Sequence, residues 1–431
     1  MVPIPGCGLR FCIVSKCADT VNLPEMTMMK GEVIVAGCGV GAACFAIRAL
    51  QLGLKPILIR VPMPSMRGVE VIPASAARLL EALELGEVLA NLGVGLGEGM
   101  QRRWADGTTD TTAGRSMHVE RQALRAGVLA EALRRGARIQ DADELPRLDP
   151  ASFSVDATGQ HAAWSRPVFR RGKLSADIFM AEGRETAAGT GRLALMDRGW
   201  AYLAADQAVT SIGVVGRHRR APTGLDPQTC EALGLSSAAS FRFVGRRPAF
   251  VQWTSKPVDG RRLAIGDAAV HHNPIGGRGI SFALGSAFAA ASVFATWQDD
   301  PALEDGARAY YEGFVAAELR KHLGFLDGDG RSVAPEPPVP AQVRWIAPSV
   351  RGEMALDSRV VPGEVFVLAS GTSIRWAGSF DLIRLRDIMS KTVSSEKAVE
   401  RLCDQGLTVA EARRTLAWAL ANGLIAQDRC T

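Results

Sequence analysis

The stretch VIVAGCGVGA, residues 33–42, brings together small residues at a spacing that suits a phosphate group. Gly37 allows a tight turn after an apolar run, Gly39 lets the backbone approach a pyrophosphate, and Ala42 lets the next helix pack closely. Gly41 adds a further small side in the same turn. The amide groups at the start of that helix would face the anion. By itself the GxGxxA spacing also suits a glycine-rich turn that seats a helix on a strand with no ligand. About twenty residues on, where a dinucleotide fold places an acid for the ribose hydroxyls, the chain has Arg60. That arginine could meet adenine, a phosphate of the dinucleotide, or the 2'-phosphate of NADP.

A second group of residues lies far along the chain in GDAAVHHNPIGGRGI. Gly266 and Asp267 end an apolar run, and Pro274, Gly276, Gly277, Gly279 and Ile280 lead into a small-residue helix. The amides of that turn could face a second anionic or ring-shaped part of a ligand. Asp156 and Gly159, in VDATG, lie between the two groups. His271 and His272 are candidate acid-base residues, since imidazole titrates near neutrality. The plainer alternative has one histidine packed in the interior and the other in solvent.

These residues need strands that end at one place and helices that start there. Residues 33–36 read as a strand, followed by a helix and a second strand ending at Arg60. GVEVIPASAARLLEALEL is expected to begin as a loop carrying Glu70 and to become a helix over residues 77–83. Leu124, Val128, Leu129 and Leu133 mark a further helix, with Arg121 on it and a stop at Gly136. From 164 to 253 the texture changes to short runs such as RLALMD, WAYLAA and VTSIGVV between turn residues, the pattern of an antiparallel sheet. Within it Asp197, Trp200 and Tyr202 either face a substrate or pack in a core.

The spacing predicts an α/β protein: a Rossmann-like nucleotide-binding domain interleaved with an antiparallel-sheet substrate domain, plus a C-terminal winged-helix-like small domain. The expected boundaries are 30–75, 110–163 and 255–325 for the nucleotide domain, and 76–109 with 164–254 for the sheet domain. A linker over 326–340, rich in Gly and Pro, leads to 341–431, and 1–29 reads as disordered or flexible. In the tail, helices are expected near 380–389, 395–403 and 409–422, the last opened by a Thr408/Glu411 capping box and stopped by Gly423.

With 431 residues, 47% of them apolar, the chain can build large cores. A net charge of +5, from 50 basic and 45 acidic residues, calls for no nucleic acid. No stretch reads as a membrane span, and no apolar run with a basic start opens the chain, so a cytoplasmic location is expected. Eight cysteines without a CxxC pair point to reduced thiols, not to a metal site or a disulfide framework. The Asp-Gly-Asp-Gly of residues 327–330 lacks the acid that a calcium loop needs at its twelfth position.

Taken as an ordered set, GxGxxA, a helical arginine, DATG, then GD with PxGGxG, residues 31–325 resemble the flavoprotein monooxygenases and flavin-dependent halogenases of the p-hydroxybenzoate hydroxylase fold. The resemblance implies FAD as cofactor. Residues 37–42 would hold its pyrophosphate with Arg121 reaching toward it, Asp267 would bind the ribityl region, and Pro274 to Ile280 would lie along the isoalloxazine ring. Glu70 matches the acid of the family's second loop. Tryptophan halogenases carry WxWxIP and a lysine, which GWAYLAA and GVEVIPAS lack, so the resemblance favours hydroxylation, with NADH or NADPH as reductant and O2 as oxidant.

Residues 341–431 carry 12 basic against 10 acidic side chains, too balanced for a DNA-binding module and better suited to a polypeptide. With that tail, the chain looks like the flavin monooxygenases that mature quinohemoprotein amine dehydrogenase. That resemblance implies dihydroxylation of a tryptophan in the small subunit of that enzyme, on the route to cysteine tryptophylquinone. Two other classes stay open: a hydroxylase, halogenase or reductase of a small molecule, and a non-enzymatic binding protein that has lost the flavin.

Overall fold

The computed structural model describes residues 30–62, 67–182, 186–196, 199–218, 222–236, 240–327, 339–356, 358–377, 380–391 and 393–427. The expected disordered segment 1–29, most of the expected linker, the Gly-Asp-Gly of residues 328–330 and Asp197 lie outside them. Two compact units make up the chain, Met1–Ala295 and Thr296–Thr431.

The first unit opens with β1 (Glu32–Ala36), α1 (Val40–Gln51) and β2 (Lys55–Arg60), then β3 (Val69–Pro73), α2 (Ala74–Ala82) and α3 (Gly86–Ala90). Next come β4 (Gly95–Arg103), β5 (Thr109–Glu120), α4 (Arg121–Arg134), β6 (Arg138–Asp141), β7 (Ser154–Asp156), β8 (Val168–Arg171) and β9 (Ser175–Glu182). β10 (Gly191–Met196), β11 (Gly199–Ala205), β12 (Val209–Gly216), α5 (Pro227–Ala232), β13 (Arg242–Pro248) and β14 (Val251–Thr254) follow. β15 (Val258–Asp259), β16 (Arg262–Ala264), β17 (Val270–His271) and the long α6 (Gly279–Asp299) complete the series.

A six-stranded sheet has the order β15-β16-β7-β1-β2-β6 and is parallel from β16 to β6. Its central strand β1 is buried along its whole length, the expected state of a parallel strand covered on both faces. Register aligns the strand ends: Ala36 pairs with both Ile59 and Asp156, and Ala264 pairs with Asp156. The turns after β1, β7 and β16 therefore emerge together.

The eight-stranded sheet runs β13-β9-β12-β11-β10-β4-β5-β3 and is antiparallel except for the β10–β4 pair. Strand alternation sorts its faces. Phe179, Ala201, Leu203 and Ile212 pack beneath Leu225, Cys230, Leu233 and Phe241 on one side. Ile178, Leu193, Trp200, Val215 and Tyr202 share the other side with Ile275.

Two expectations need correction. Glu70 lies on strand β3, paired with Val119 of β5, and not in a loop. β4 and β5 were missed as strands of the large sheet because their Gly, Thr and Arg content hides the alternation, and β3, only five residues long and running straight into α2, was read as a loop. α6, in addition, is long and apolar enough to cross a membrane by length and composition, contrary to the expectation above; 67% of its most apolar window is buried inside the protein. Leu284, Ala287, Ala290 and Phe294 are all fully buried.

The second unit contains α7 (Glu304–Asp327), β18 (Gln342–Trp345), β19 (Ser349–Leu356), β20 (Arg359–Val367), β21 (Ser373–Ile374), β22 (Trp376–Ala377) and β23 (Phe380–Asp381). After these come α8 (Leu382–Ile388), β24 (Val393–Ser394), α9 (Ser395–Asp404), α10 (Val409–Ala421) and β25 (Ile425–Gln427). The three expected helices are present, and the Thr408/Glu411 capping box opens α10 as its sequence indicated. Val343, Phe366, Leu382, Leu385, Leu402, Leu416 and Leu424 form one core, against which the β24-β18-β25 trio packs. The β19–β20 hairpin, paired from Ser349 with Phe366 to Leu356 with Arg359, was not anticipated.

Candidate functional site

Ligands of open parallel sheets bind beyond the carboxyl ends of the strands, and there the sequence groups converge. Gly37 leaves β1 with φ +112, and a Cβ on it would stand 2.5 Å from the Ala157 carbonyl oxygen at the end of β7. Glycine is therefore required. A Cβ on Gly39 would meet nothing within 4 Å, so open space lies in front of this turn. Gly39 caps α1 with no side-chain cap, and no acid occupies the first turn. Ala42 is buried at the base of the helix. The first amides of an acid-free helix that faces open space can hold a phosphate.

The second turn is tied to the first through α6. Ser286 Oγ accepts from the Gly266 amide at 2.9 Å and donates to the Ala283 carbonyl at 3.1 Å. Ala283 would lie 3.5 Å from a Cβ on Gly41 and 3.4 Å from one on Gly266. A larger side chain there would push the two turns apart. Asn273 caps the Pro274–Gly276 turn, accepting from the Ile275 amide at 3.0 Å and donating to the Ala249 carbonyl at 2.7 Å. Gly277 has φ +56, and neither it nor Gly279 would bring a Cβ within 4 Å of anything. Ile280 follows in the first turn of α6, which also lacks an acid.

Asp156 has a different part. Buried completely, it accepts from the Thr158 amide at 3.1 Å, the Thr158 hydroxyl at 2.6 Å and the Trp164 amide at 2.8 Å. It thus fixes the loop that begins with Gly159 beside the Gly266 turn.

The two histidines part company. His271 Nδ1 lies 3.1 Å from Asp267 Oδ2, and its ring meets Phe250 edge-on at 5.8 Å. Desolvation alone would lower the His271 pKa, but the Asp267 carboxylate outweighs it and raises the value above its usual one. Desolvation would raise that of Asp267, yet His271, His272 and Arg121 hold it below the ordinary carboxylate range. His272 is buried, with its ring 5.2 Å from that of Phe282.

Arg121 pairs with Glu70, joining α4 to β3. Tyr202, whose ring lies across Gly213, is pushed up in pKa by burial and drawn back by Arg247 and Arg121. Burial and the neighbouring Arg121 lower the pKa of Arg247, which donates to the Arg67 carbonyl at 2.7 Å. Glu70, Arg121, Tyr202, Arg247 and Asp267 are therefore one electrostatically linked group, and the sequence pointed to Arg247 in no way.

Arg125 was also missed. One turn after Arg121 on α4, it donates from Nε to the Cys38 carbonyl at 2.9 Å and so braces the 37–42 turn. Its spacing of four from Arg121 places both on one helix face, which was the available signal. Arg125→Leu keeps the stem but not the donor, and we expect it to weaken FAD binding about fivefold by loosening the turn, as read by flavin fluorescence titration. Cys38 and Cys44 are buried free thiols, both raised in pKa by burial.

The parallel sheet with glycine turns at its carboxyl edge and the large antiparallel sheet make up a fold that aligns with solved flavin-dependent monooxygenases and halogenases. The peptidyl tryptophan dihydroxylase QhpG, essential for tryptophylquinone cofactor biogenesis, aligns over 92% of this chain and 100% of its own at TM-score 0.64 and 19% identity. The flavin-dependent halogenase CmlS aligns over 94% and 99% at TM-score 0.67 and 14% identity. PqsL, a probable FAD-dependent monooxygenase from Pseudomonas aeruginosa, aligns over 68% of this chain and 94% of its own at TM-score 0.55 and 17% identity. At these identities the likeness is one of fold. No family model matches the chain, and no curated protein matches it in sequence.

The residues present fit FAD. Two acid-free helix starts, at Gly39 and Gly279, border open space, and glycines line the approach to each.

Proposed function

We propose that this chain is an FAD-dependent monooxygenase that hydroxylates a tryptophan side chain of a polypeptide during biosynthesis of a protein-derived quinone cofactor. The observation that carries the flavin reading is that the 37–42 turn and the Gly266–Asp267 turn leave strands whose ends align and both meet Ala283 of α6, while a Cβ on Gly39, Gly277 or Gly279 would meet nothing within 4 Å among the described residues. Bound FAD, reduced by NADH or NADPH, supplies the activation of O2. In this reading the amides at the start of α1 bind the pyrophosphate, and Arg125 keeps their turn in shape. Asp267 and His271 hold a proton between them beside the second turn. Ile275, Trp200, Leu193 and Val215 form an apolar wall that excludes water.

The polypeptide substrate is supported by the likeness to QhpG along nearly the whole of this chain, tail included. Residues 341–431, with α8, α9, α10 and the β24-β18-β25 trio, are read as a winged-helix-like module that docks it. Hydroxylation is favoured over halogenation by the sequence: no lysine occurs between Lys55 and Lys173, the span holding β3 and α2.

Incubating the protein with FAD, NADH or NADPH, O2 and the small subunit of quinohemoprotein amine dehydrogenase should add oxygen to one tryptophan ring. With heavy-isotope O2, each hydroxylation should place one labelled atom on the ring and the other in water. Label arriving only from water, or no change to the polypeptide while a small aromatic is hydroxylated, would refute the peptidyl reading.

A further inference from the structure

The end of β2 presents a cation where a ribose-binding acid is expected, and the neighbouring strand presents an acid. Arg60 and Asp141 are register partners on the parallel strands β2 and β6. Arg60 Nε donates to Asp141 Oδ1 at 2.5 Å, and Nη2 donates to Oδ2 at 2.8 Å. Adjacent strands lie about 5 Å apart, so an acid on β6 starts one strand spacing from the usual place. The two-pronged contact draws the Asp141 carboxylate back toward the end of β2.

The pair stands at the mouth of the cradle. Both charges act on the Cys38 thiol, in the turn whose carbonyl Arg125 holds. The side chains are 48% and 68% exposed, so neither is spent inside a core, and each Asp141 oxygen keeps a lone pair for another donor. The hydrogen bond from Arg60 holds the Asp141 carboxyl below its ordinary range, which keeps it an ionised acceptor. Arg60, in turn, has two of its donors committed to that carboxylate. A 2'-phosphate would have to displace Asp141 to reach them and would meet its negative charge.

We infer that Asp141, delivered by β6 and oriented by Arg60, is the residue that accepts the adenosine ribose hydroxyls, replacing the acid absent from the end of β2. The inference rests on the FAD reading above. A carboxylate accepting from vicinal hydroxyls makes short, charge-assisted bonds. It also selects an unphosphorylated ribose, so this subsite takes the adenosine of FAD and rejects that of NADP.

The test is equilibrium titration of FAD and, separately, FMN into the cofactor-free full chain, followed by flavin fluorescence. Asp141→Asn should weaken FAD binding about tenfold, the scale of a lost charge-assisted bond, and leave the affinity for FMN, which lacks the adenosine half, unchanged. Exchanging the pair, Arg60→Glu with Asp141→Arg, returns the acid to the end of β2 and should restore most of the FAD affinity. Unchanged FAD binding by Asp141→Asn would overturn the assignment, as would an equal loss for FAD and FMN. Unsubstituted protein that binds neither flavin would overturn the FAD reading itself, and this inference with it.

Discussion

Gly37→Ala is expected to abolish FAD retention and to lower stability by about 3 kcal/mol, roughly 5–10 °C in the melting temperature of the first unit. Two costs combine. At φ +112 an L side chain is strained, and the added methyl would stand 2.5 Å from the Ala157 carbonyl oxygen. Neither strand end can yield easily, because the Gly37 amide donates to the Ile59 carbonyl and the Ala157 amide donates to the Ala36 carbonyl, both at 2.9 Å. Gly39→Ala is the informative contrast. Its backbone, φ −77 and ψ 178, suits any residue, and its methyl would meet nothing within 4 Å. Cofactor-free Gly39→Ala protein should melt as the unsubstituted protein does while binding FAD about tenfold or more weakly, since the methyl takes the space in front of the helix start. Thermal melts with and without FAD check both. A Gly37→Ala protein that melts normally, or a Gly39→Ala protein that binds normally, would contradict this account of the cradle.

That contrast also explains which parts of the site were legible in the sequence. Gly37, Gly266 and Gly277 stand out because the backbone they adopt or the space they leave demands glycine, and a local string carries such demands. The order of the turns was legible for the same reason, as each follows a short apolar run that must be a strand. Asp141, Arg247 and Ser286 were not legible, and only its spacing from Arg121 marked Arg125. The partners of the four, Arg60, Arg67, Gly266 and Cys38, lie 20 to 180 residues away in sequence, and no local string announces those contacts.

The large sheet shows the opposite limit. β10, β11 and β12 were found because Val, Ile, Leu and aromatic residues recur there in short runs between turns. β4 and β5 read GLGEGMQRR and TDTTAGRSMHVE, with few apolar residues, and β4 is paired on one side with the distant β10. Tertiary pairing, and not propensity, makes these segments strands. The tail helices were legible to within about two residues because caps and stops bracket them, whereas the β19–β20 hairpin has Pro362 and Gly363 within a strand and reads as a loop.

One buried group in those poorly legible strands has a large effect on stability. His118, on β5, is wholly buried, with Nε2 3.2 Å from Ser116 Oγ and a Cβ on Gly97 or Gly191 placed to crowd its ring. Burial lowers its pKa from 6.5 to about 4, against the opposing pull of the Ala205 carbonyl and the Asp206 carboxylate. The imidazole is thus neutral when folded at pH values where the unfolded chain binds a proton. Because the unfolded state binds more protons, stability must fall as pH drops: the contribution is complete above about 6.5, declines between 6.5 and 4, and changes no further below 4. A shift of this size corresponds to about 3 kcal/mol. His271 acts with the opposite sign, since Asp267 raises its folded pKa: its contribution is complete below the unfolded value and is lost as pH rises through the folded one. Urea unfolding of the cofactor-free chain at pH 7 and pH 4.5, compared between unsubstituted and His118→Asn protein, isolates the His118 part. The variant should start less stable at pH 7 yet lose about 2–3 kcal/mol less on acidification. Parallel loss in both proteins would mean that His118 charges freely in the folded sheet.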